Sequence, residues 1–317
     1  EYVELEIGGQ SIDKHYGEWL EILSELTLSE EKRQGFKEMI GRRDAYNEAT
    51  GAAPESTKFY IPLQFFFCRN PGLALPLIAL QYHEVKINVK LRTGDEIKGG
   101  VPGKTAPTLS SLRMFADYVY LDTDERRRFA QVSHEYLIEQ VQMNIETFNT
   151  YQPDIIFNLD LCHPVKEIMW VIQNEDVIYE HIGSKEIKKN ELFNFSDRPE
   201  LESVGPGGGN EQTDPLIDVE LQIEGNYRFE KRDAKYFRLL QPFQRHTYTP
   251  KLFTYIYSFA LHPERLQPSG TCNFSKIDDV RLNLTLPSYI TQGNIRVYAV
   301  NYNFLKIKKG MAGILYS

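Results

Sequence analysis

Apolar and acidic side chains alternate at the start of the chain, where residues 3–7 read VELEI. A period of two is typical of a strand with one buried face, and the GG pair that follows indicates a turn. From about His15 to Ile40 the period becomes helical, and Thr27 to Glu30 has the form of a capping box before a second helix. The residues predicted to share one face of the first helix are Trp19, Ile22, Leu23 and Leu26.

Residues 59–91 form the longest apolar run, FYIPLQFFFCRNPGLALPLIALQYHEVKINVKL. Its prolines argue against the interior of a helix. Arg69, Asn70 and Pro71 interrupt the run before it reaches the about 20 apolar residues that a membrane span needs. We therefore predict two core strands, at 59–67 and 78–91, connected through the RNPG turn.

Later segments again show the period of a strand, and a charged turn, DERRRFAQ, separates the first of them from the rest. Residues 176–215 are predicted to be a long irregular insertion. Short strands at regular spacing with helical and loop insertions predict an all-β sandwich or jelly roll. The predicted strands are 113–122, EYLIEQVQMNI, DIIFNLDL, EIMWVIQ, 217–223, 252–261, 279–286 and 294–305.

Three short segments of the first half recur in the same order in the second half. The order and the shrinking offsets predict two homologous domains, the first with longer loops. The matched pairs are VELEIGG at 3–9 with VELQIEG at 219–225, VKINVKL at 85–91 with VRLNLTL at 280–286, and RMFA at 113–116 with RVYA at 296–299.

The repeat divides the chain into a first domain, residues 1–131, and a second domain, residues 132–317. The second copy has strands before its VELQI segment, whereas the first copy begins with VELEI. The first domain is therefore expected to lack its opening strands, and an incomplete sandwich exposes unpaired strand edges. We expect further strands upstream of Glu1 in the natural protein.

Composition agrees with a β fold and argues against nonspecific nucleic-acid binding. The chain has 19 Tyr and 18 Phe, residues that suit pleated surfaces, and a net charge of −8. The basic cluster Arg126–Arg128 follows acidic residues, which favours a solvated, salt-bridged face. Lys306, Lys308 and Lys309 could contact an anionic surface. Three distant cysteines form no disulfide framework and fit a reducing compartment.

No segment carries a complete motif for catalysis, cofactor binding or metal binding. GGVPGKT at 99–105 has one residue too few for a phosphate loop, and GPGGGN at 205–210 lacks a lysine. The seven histidines form no HxH or HExxH pair, and no GxSxG elbow is present. The pairs His83-Glu84 and His134-Glu135 could be acid and base, but neighbours in a strand point to opposite faces. We predict no catalytic residues, no cofactor and no metal.

Three N-glycosylation sequons occur, at Asn194, Asn273 and Asn283. Asn283 lies in a predicted strand and is expected to be unmodified. Asn194, in the long insertion, is expected to be the most exposed, and Asn194 and Asn273 are the candidate acceptors.

Five long segments together resemble the major capsid proteins of nucleocytoplasmic large DNA viruses, most nearly the phycodnavirus-like and mimivirus-like members. The resemblance covers both ends of the chain and both copies of the repeat. The segments are VELEIGGQSIDKHYGEWL, NPGLALPLIALQYHEVKI, DERRRFAQVSHEYLIEQVQ, QPSGTCNFSKIDDVRLNL and YAVNYNFLKIKKGMAGILYS.

The resemblance implies a double jelly roll and a structural role in the virion, the shell being assembled in the host cytoplasm. It implies a homotrimer, a pseudo-hexagonal capsomer that tiles an icosahedral shell beside neighbouring capsomers and minor capsid proteins. The inner viral membrane would lie nearby without being spanned, and no direct nucleic-acid contact is expected. In the family, insertions like those at 12–57 and 226–250 build the outward-facing tower and contacts between subunits.

Two alternatives use the same fold. One is a jelly-roll scaffold that shapes a viral membrane and is absent from the mature particle. The other is a carbohydrate-binding jelly-roll module or enzyme, which would need an exposed aromatic platform or converging carboxylates.

Overall fold

The structure is a computed structural model that describes residues 1–41, 58–98, 108–175, 179–182, 185–188, 192–197 and 212–316. The described strands are β1 (Tyr2–Ile7), β2 (Gln10–Tyr16), β3 (Val85–Lys90), β4 (His134–Phe148), β5 (Asp154–Asn158), β6 (Pro164–Asn174), β7 (Tyr179–Ile182), β8 (Lys185–Lys188), β9 (Asp218–Ile223), β10 (Asn226–Asp233), β11 (Tyr255–Ser258), β12 (Cys272–Asn273), β13 (Val280–Thr285), β14 (Gly293–Lys308) and β15 (Met311–Ile314). The described helices are α1 (Gly17–Thr27), α2 (Glu30–Ile40), α3 (Phe66–Arg69), α4 (Gly94–Lys98), α5 (Thr123–Gln131) and α6 (Gln241–Arg245), the last preceded by a π-helical turn, Tyr236–Leu240.

The second half of the chain forms a sandwich of two antiparallel sheets. One sheet has the order β10-β9-β13-β5. In the other, β14 lies between β4 on one edge and β6 and β15 on the other, and β6 also pairs with β11 and β12. Alternate side chains of both sheets meet in one core. Fully buried members of this core are Ile168, Trp170, Ile172, Leu221, Leu282, Leu284, Val297 and Ala299.

The first half contributes one described sheet, of order β2-β1-β3, all antiparallel. The β1–β2 hairpin turns at Gly8 and Gly9, whose φ angles are 61° and 84°. Both angles lie in the left-handed region that glycine adopts without steric cost. At Gly8 a β-carbon would also lie only 2.3 Å from Nδ1 of His83. The turn and the close approach together explain the glycine at this position.

Strand pairing supports the duplication predicted from sequence. Leu5 pairs with Ile87 in the first half, and the matched residues Leu221 and Leu282 pair in the second half. The second hairpin turns at Glu224 and Gly225, which also have positive φ angles, 52° and 73°. Two of the three sequence matches therefore fall on equivalent strands of the two halves, with the same pairing register and the same position of the turn.

The third match and the strand prediction at 113–122 are wrong at the level of secondary structure. Residues 296–299 lie in β14 between two partner strands, but residues 108–122 form neither strand nor helix. A strand needs a partner for its backbone groups, and no strand of the described part of the chain lies beside 113–122.

The prediction of two strands in residues 59–91 is wrong for the first and partly right for the second. Residues 59–65 have no regular structure, α3 follows, and β3 covers only the end of the predicted 78–91 strand. The prolines explain the difference, because they remove backbone donors and favour the short 3-10 turns at Pro71–Leu73 and Leu77–Ala79. Burial without a strand accounts for Phe65, Phe66, Ala79 and Leu80, whereas the side chains of residues 59–61 are exposed.

Three smaller predictions also need correction. The helical pattern from His15 begins two residues later, because β2 continues to Tyr16. The capping box is wrong, since α2 has Ser29 as its N-cap without a side-chain bond, and the Thr27 hydroxyl donates to the carbonyl oxygen of Leu23. The charged turn is helix α5, capped by Asp122.

Some predicted features lie outside the described residues. They include the glycine loops at 99–105 and 205–210 and much of the insertion at 176–215. The described part of that insertion contains a hairpin of β7 and β8. All other predicted strands of the second half coincide with β4, β5, β6, β9, β11, β13 and β14.

Candidate assembly surfaces

The two halves of the chain share a hydrophobic core. Ile7 from β1 and Phe65 pack with Ile138 from β4 and Leu305 from β14, and all four side chains are fully buried. The ends of the two longest strands of the second half thus serve as a wall of the first half. Other buried members of this shared core are Leu5, Ile12, Phe66, Ala79, Leu80, Ile307 and Ala312.

Helix α1 packs on the side of the six-stranded sheet that faces away from the sandwich core. We call its four apolar residues the first stripe: Trp19, Ile22, Leu23 and Leu26. We call the residues beneath them the outer face: Met169 and Val171 of β6, Ile256 of β11, and Tyr298 and Val300 of β14. The first stripe is at most 8% exposed, so an insertion of the first half is buried against the second half.

The far end of α1 is fixed by polar contacts with the insertion of the second half. The backbone N–H of Tyr248 donates to the carbonyl oxygen of Leu26, at 3.0 Å. The guanidinium of Arg33 lies 3.5 Å from the centre of the Tyr248 ring and pairs with Glu25 at 3.0 Å. The two insertions, one from each half, therefore contact each other.

A chain of buried charges crosses the boundary between the halves. Glu139 of β4 accepts from Arg69 at 2.7 Å and from Nζ of Lys166 at 2.6 Å, and Lys166 also donates to the carbonyl oxygen of Pro263. Lys166 is only 2% exposed, so Glu139 is its charge partner in the interior. Replacing one of these three side chains would leave a buried charge without its partner and would destabilise the fold. The charges therefore also specify how the two halves pack together.

A second polar contact joins β2 to β4. The carboxylate of Asp13 accepts from the backbone N–H of Val141 at 3.0 Å and lies 2.6 Å from Nε2 of His15. Gln140 donates to the carbonyl oxygen of Ile12. The His15 ring also stacks on Phe65, with centroids 4.5 Å apart. Ile12, Asp13 and His15 of β2 therefore act in the junction between halves, although His15 was predicted to start the helix.

His246 lies between two carboxylates, one of which belongs to Glu167, the neighbour of Lys166 in the chain of buried charges. Its Nε2 is 3.2 Å from Glu167, and its Nδ1 is 3.2 Å from Glu264. Burial alone would lower the pKa of His246, but the two carboxylates raise it from 6.5 to about 9. Burial would likewise raise the pKa of Glu167, but His246 and then Lys166 and Arg69 hold it below its usual value. The imidazole is therefore charged at neutral pH and holds the 246–264 loop onto β6.

An apolar segment at 108–122 lies on the surface. Met114, Phe115, Val119 and Tyr120 are 67%, 80%, 78% and 92% exposed. Apolar patches of this size on a surface commonly mark a contact with another chain. The segment is the most exposed apolar stretch among the described residues.

The candidate glycosylation residues differ in exposure from the prediction. Asn194 is half-buried, and its Oδ1 accepts from the backbone and hydroxyl of Ser196. Asn273 is exposed, so the expectation that Asn194 is the most exposed acceptor is wrong. Asn283 lies in β13 as predicted, where its Nδ2 donates to Glu220 at 2.5 Å.

The histidines singled out as acid or base candidates contact the backbone. Nδ1 of His83 accepts from the N–H of Ala312, and Nε2 of His134 lies 2.8 Å from the carbonyl oxygen of Phe129. Glu135 pairs instead with Lys306 at 2.6 Å. Among the described residues, no group of three or more His, Cys, Asp or Glu side chains could hold a metal ion.

Three other predictions can be compared directly with the structure. Arg127 pairs with Asp124 at 3.5 Å on the exposed surface of α5, which confirms a salt-bridged solvated face there. Within the parts of the chain that the structure describes, no helix has the length and apolar character to cross a bilayer. Cys68, Cys162 and Cys272 are free thiols.

The whole chain matches known capsid proteins. A family model described as "Large eukaryotic DNA virus major capsid protein" matches residues 125–313, and another, "Major capsid protein N-terminus", matches residues 1–122. The chain belongs to this major capsid protein family. The family resemblance found in the sequence is confirmed, and the family is structural rather than enzymatic.

Individual relatives agree over nearly the full chain. The major capsid protein of Pyramimonas orientalis virus is 42% identical, over 99% of this chain and 76% of that protein. That of Paramecium bursaria Chlorella virus 1 is 38% identical, over 99% of this chain and 78% of the relative. Both relatives are major capsid proteins of large DNA viruses, the class that the sequence segments predicted.

Solved structures confirm the double jelly roll. A chain of the PBCV-1 virus capsid superposes with a TM-score of 0.76 at 31% identity, covering 100% of this chain and 83% of that one. The Faustovirus major capsid protein has a TM-score of 0.69 at 14% identity, covering 97% and 71%, and so shows the fold alone. The predicted all-β fold with two consecutive jelly rolls is therefore correct.

Sequence reasoning missed the residues that join the halves. The apolar period of Trp19 to Leu26 was visible, but nothing in it indicated that its partners lie 150 residues later in β6 and 279 residues later in β14, counted from Trp19 to Met169 and Tyr298. His246 had no local motif, because its two carboxylates come from β6 and from a separate loop.

Proposed function

We propose that this chain is the building block of an icosahedral virion shell and acts as a homotrimer. The observation that carries the proposal is the duplicated strand pairing, in which Leu5 opposite Ile87 is repeated by Leu221 opposite Leu282. Three chains with two similar domains each place six such domains around a threefold axis. The resulting tile is nearly hexagonal, a shape that packs without gaps on a curved shell.

The solution mass of the 317-residue chain tests the proposal. Light scattering should give a mass near three times 36.8 kDa, because obligate assemblies bury large interfaces. Dilution to low concentration should leave this mass unchanged. A monodisperse species of 36.8 kDa would call for the same measurement with the expected upstream strands restored, and a monomer at all concentrations there too would refute the trimer.

We further propose that the trimers contact neighbouring capsomers and minor capsid proteins and lie over an inner viral membrane without touching the genome. The net charge of −8 supports a location away from nucleic acid. Assembly is proposed to occur in the host cytoplasm. Crosslinking of purified virions followed by mass spectrometry should recover peptides of this chain linked to minor capsid proteins and none linked to DNA.

We propose that the two jelly rolls comprise residues 1–131 and 132–317. Helix α5 ends at Gln131 and β4 begins at His134, which supports a boundary between them. Because the two halves share a hydrophobic core, the boundary divides two jelly rolls that do not form independent folding units. Hydrogen exchange should show β1–β3 and the N-terminal half of β4 opening together.

Asn273 and Asn194 are proposed as glycan acceptors. Asn273 is exposed at the end of β12, which supports access by a glycosyltransferase. Intact mass of the virion protein before and after removal of N-glycans should reveal the modification, and Asn273→Gln should abolish most of it. An unchanged mass would refute both sites.

A further inference from the structure

The two basic clusters, which are far apart in the sequence, meet at one end of the molecule. The first cluster, Arg126–Arg128, lies on α5, which ends at Gln131. Just after this helix, the hydroxyl of Ser133 donates to the carbonyl oxygen of Ile307 at 3.3 Å, and His134 pairs with Ile307 in the ladder of β4 and β14. The β14–β15 hairpin, which carries the lysines of the second cluster, therefore lies beside the end of α5.

Four cations at this end form no ion pair with the described residues. They are Arg126 and Arg128 of α5 and Lys308 and Lys309 of the hairpin, and all four are exposed. Nearby acidic residues have other contacts: Asp124 pairs with Arg127, Glu135 pairs with Lys306, and Asp122 caps α5. Even with Asp122 and Glu125 counted, this end has an excess of positive charge in a chain whose net charge is −8.

Exposed apolar side chains lie beside these cations. Met311 pairs with Lys308 in the hairpin, and Val132 directly follows α5. The backbone N–H of Tyr82 donates to the carbonyl oxygen of Gly310 at 3.0 Å, and the Tyr82 ring covers this glycine at the tip of the hairpin. Met311, Val132 and Tyr82 are 50%, 44% and 75% exposed. Cations next to apolar and aromatic side chains are typical of a surface that binds at the interface of a membrane.

The insertions of both halves leave their sheets at the opposite end. Strand β14 runs from Gly293, which pairs with Asn174 just before the insertion at 176–215, to Lys308. A strand rises about 3.3 Å per residue, so this strand separates the two ends by roughly 50 Å. In the first half, β2 likewise starts at the Gly8–Gly9 turn, near β15, and ends where α1 begins.

We infer that the end formed by α5 and the β14–β15 hairpin is a docking surface for an anionic membrane. We call this surface the basal patch, and its residues are Tyr82, Arg126, Arg128, Val132, Lys308, Lys309 and Met311. The inference rests on the proposed shell over an inner membrane, in which the insertions face outward and the basal patch faces inward. The cations contact lipid phosphates, and the apolar side chains and the Tyr82 ring lie at the level of the headgroups.

The negative net charge of the chain does not oppose this contact. At an ionic strength of about 0.1 M the Debye length is about 10 Å, much less than the length of β14, so acidic groups at the far end are screened from the membrane. Each Lys or Arg close to an anionic lipid surface still adds attraction. In the proposed trimer three copies of the basal patch face the same plane, and their simultaneous contacts strengthen binding.

Sedimentation of the 317-residue chain with lipid vesicles tests the inference. Vesicles of phosphatidylcholine alone should bind little of the chain, whereas vesicles of equal parts phosphatidylcholine and phosphatidylserine should bind it. Raising the salt from about 0.1 M to about 1 M should release most of the bound chain, because the Debye length falls to about 3 Å. A chain that binds neither kind of vesicle overturns the inference.

Neutralising two cations locates the contact. Lys308→Gln combined with Arg128→Gln should weaken binding to the anionic vesicles by about 30-fold or more. The matched control is Lys32→Gln combined with Lys235→Gln, which removes the same charge from exposed positions in the two insertions and should bind like the wild type. Equal losses for the two pairs would mean that net charge, and not the basal patch, determines binding. If circular dichroism shows that the first pair fails to fold, Lys309→Gln with Arg126→Gln replaces it.

Met311→Gln separates a membrane from other polyanions. It should weaken vesicle binding several-fold while leaving unchanged any binding to a short DNA duplex, because only the membrane interface takes up the apolar side chain. Leu239→Gln is the control, since Leu239 is 40% exposed in the insertion of the second half. If the duplex binds as tightly as the vesicles and Met311→Gln alters neither, the basal patch is a general polyanion site and the inference is wrong.

The outcomes separate this inference from the proposed function, because light scattering measures the trimer independently of vesicle binding. A trimer that ignores anionic vesicles overturns the membrane contact and leaves the proposed shell role in place. A chain that stays monomeric even with the upstream strands restored, yet binds anionic vesicles through the basal patch, refutes the trimer and supports the membrane contact.

Discussion

At the scale of single residues, the charge state of His246 affects the stability of the fold. Its pKa is raised to about 9 in the folded chain, against 6.5 in the unfolded chain. The stabilisation is therefore fully present below pH 6.5 and is lost as the pH rises through 9. The rise corresponds to roughly 3 kcal/mol. Thermal melts should show a melting temperature that falls between pH 6.5 and pH 9.5.

His246→Gln separates this effect from other titrations. The variant should be less stable than the wild type at pH 6.5, and the difference should shrink towards pH 9.5. If the two proteins have parallel pH profiles, the carboxylates of Glu167 and Glu264 do not act through the imidazole.

Gly8 and Gly9 offer a matched pair for the first hairpin. Both have positive φ, but a β-carbon at Gly8 would meet the His83 ring, whereas nothing lies within 4 Å of the β-carbon position at Gly9. Gly9→Ala should cost only the conformational penalty of about 1 kcal/mol, and Gly8→Ala should cost clearly more, because His83 must move. Chemical denaturation measures both, and equal losses would contradict the role of the close approach.

At the scale of elements, α1 should contribute to the stability of the second jelly roll although it belongs to the first half. Trp19 is 1% exposed in contact with the outer face, so Trp19→Ala should destabilise the chain by about 3–5 kcal/mol. Leu239→Ala is the control, because Leu239 is 40% exposed, and it should change the free energy of unfolding by less than about 0.5 kcal/mol. A comparable loss for both would contradict a specific contribution of the buried face of α1.

The same elements show what a sequence can predict. Strands β9, β13 and β14 were predictable from sequence. Their side chains either alternate between a buried and a polar face or are buried over most of the strand, and each strand has a partner on both sides. Residues 59–67 are equally apolar but contain Pro62, and their buried members, Phe65 and Phe66, lie at the start of α3. Residues 113–122 have strand character without a described partner. The period of apolar residues indicates which side chains are buried, but a strand forms only where another strand can pair with its backbone.

Whole-molecule contacts were beyond sequence reasoning for a related reason. The repeat showed that two jelly rolls exist, and the resemblance showed their arrangement in one chain. Neither indicated that Ile138 and Leu305 complete the core of the first half, because that depends on how far β4 and β14 extend past their own sandwich.

At the scale of the whole molecule, the shared core predicts that the two jelly rolls unfold together. Leu5 and Leu221 are equivalent residues of the two halves, and each is fully buried. Because Leu5 packs in a cluster that includes Ile138 and Leu305, a cavity on either side weakens contacts that both halves need. Calorimetry of the wild type at a pH of 7 should show one transition with equal calorimetric and van't Hoff enthalpies. Leu5→Ala and Leu221→Ala should each lower that common transition without splitting it. Two transitions, each shifted by only one of the variants, would mean that the halves are independent domains and that the shared core is a contact between finished folds.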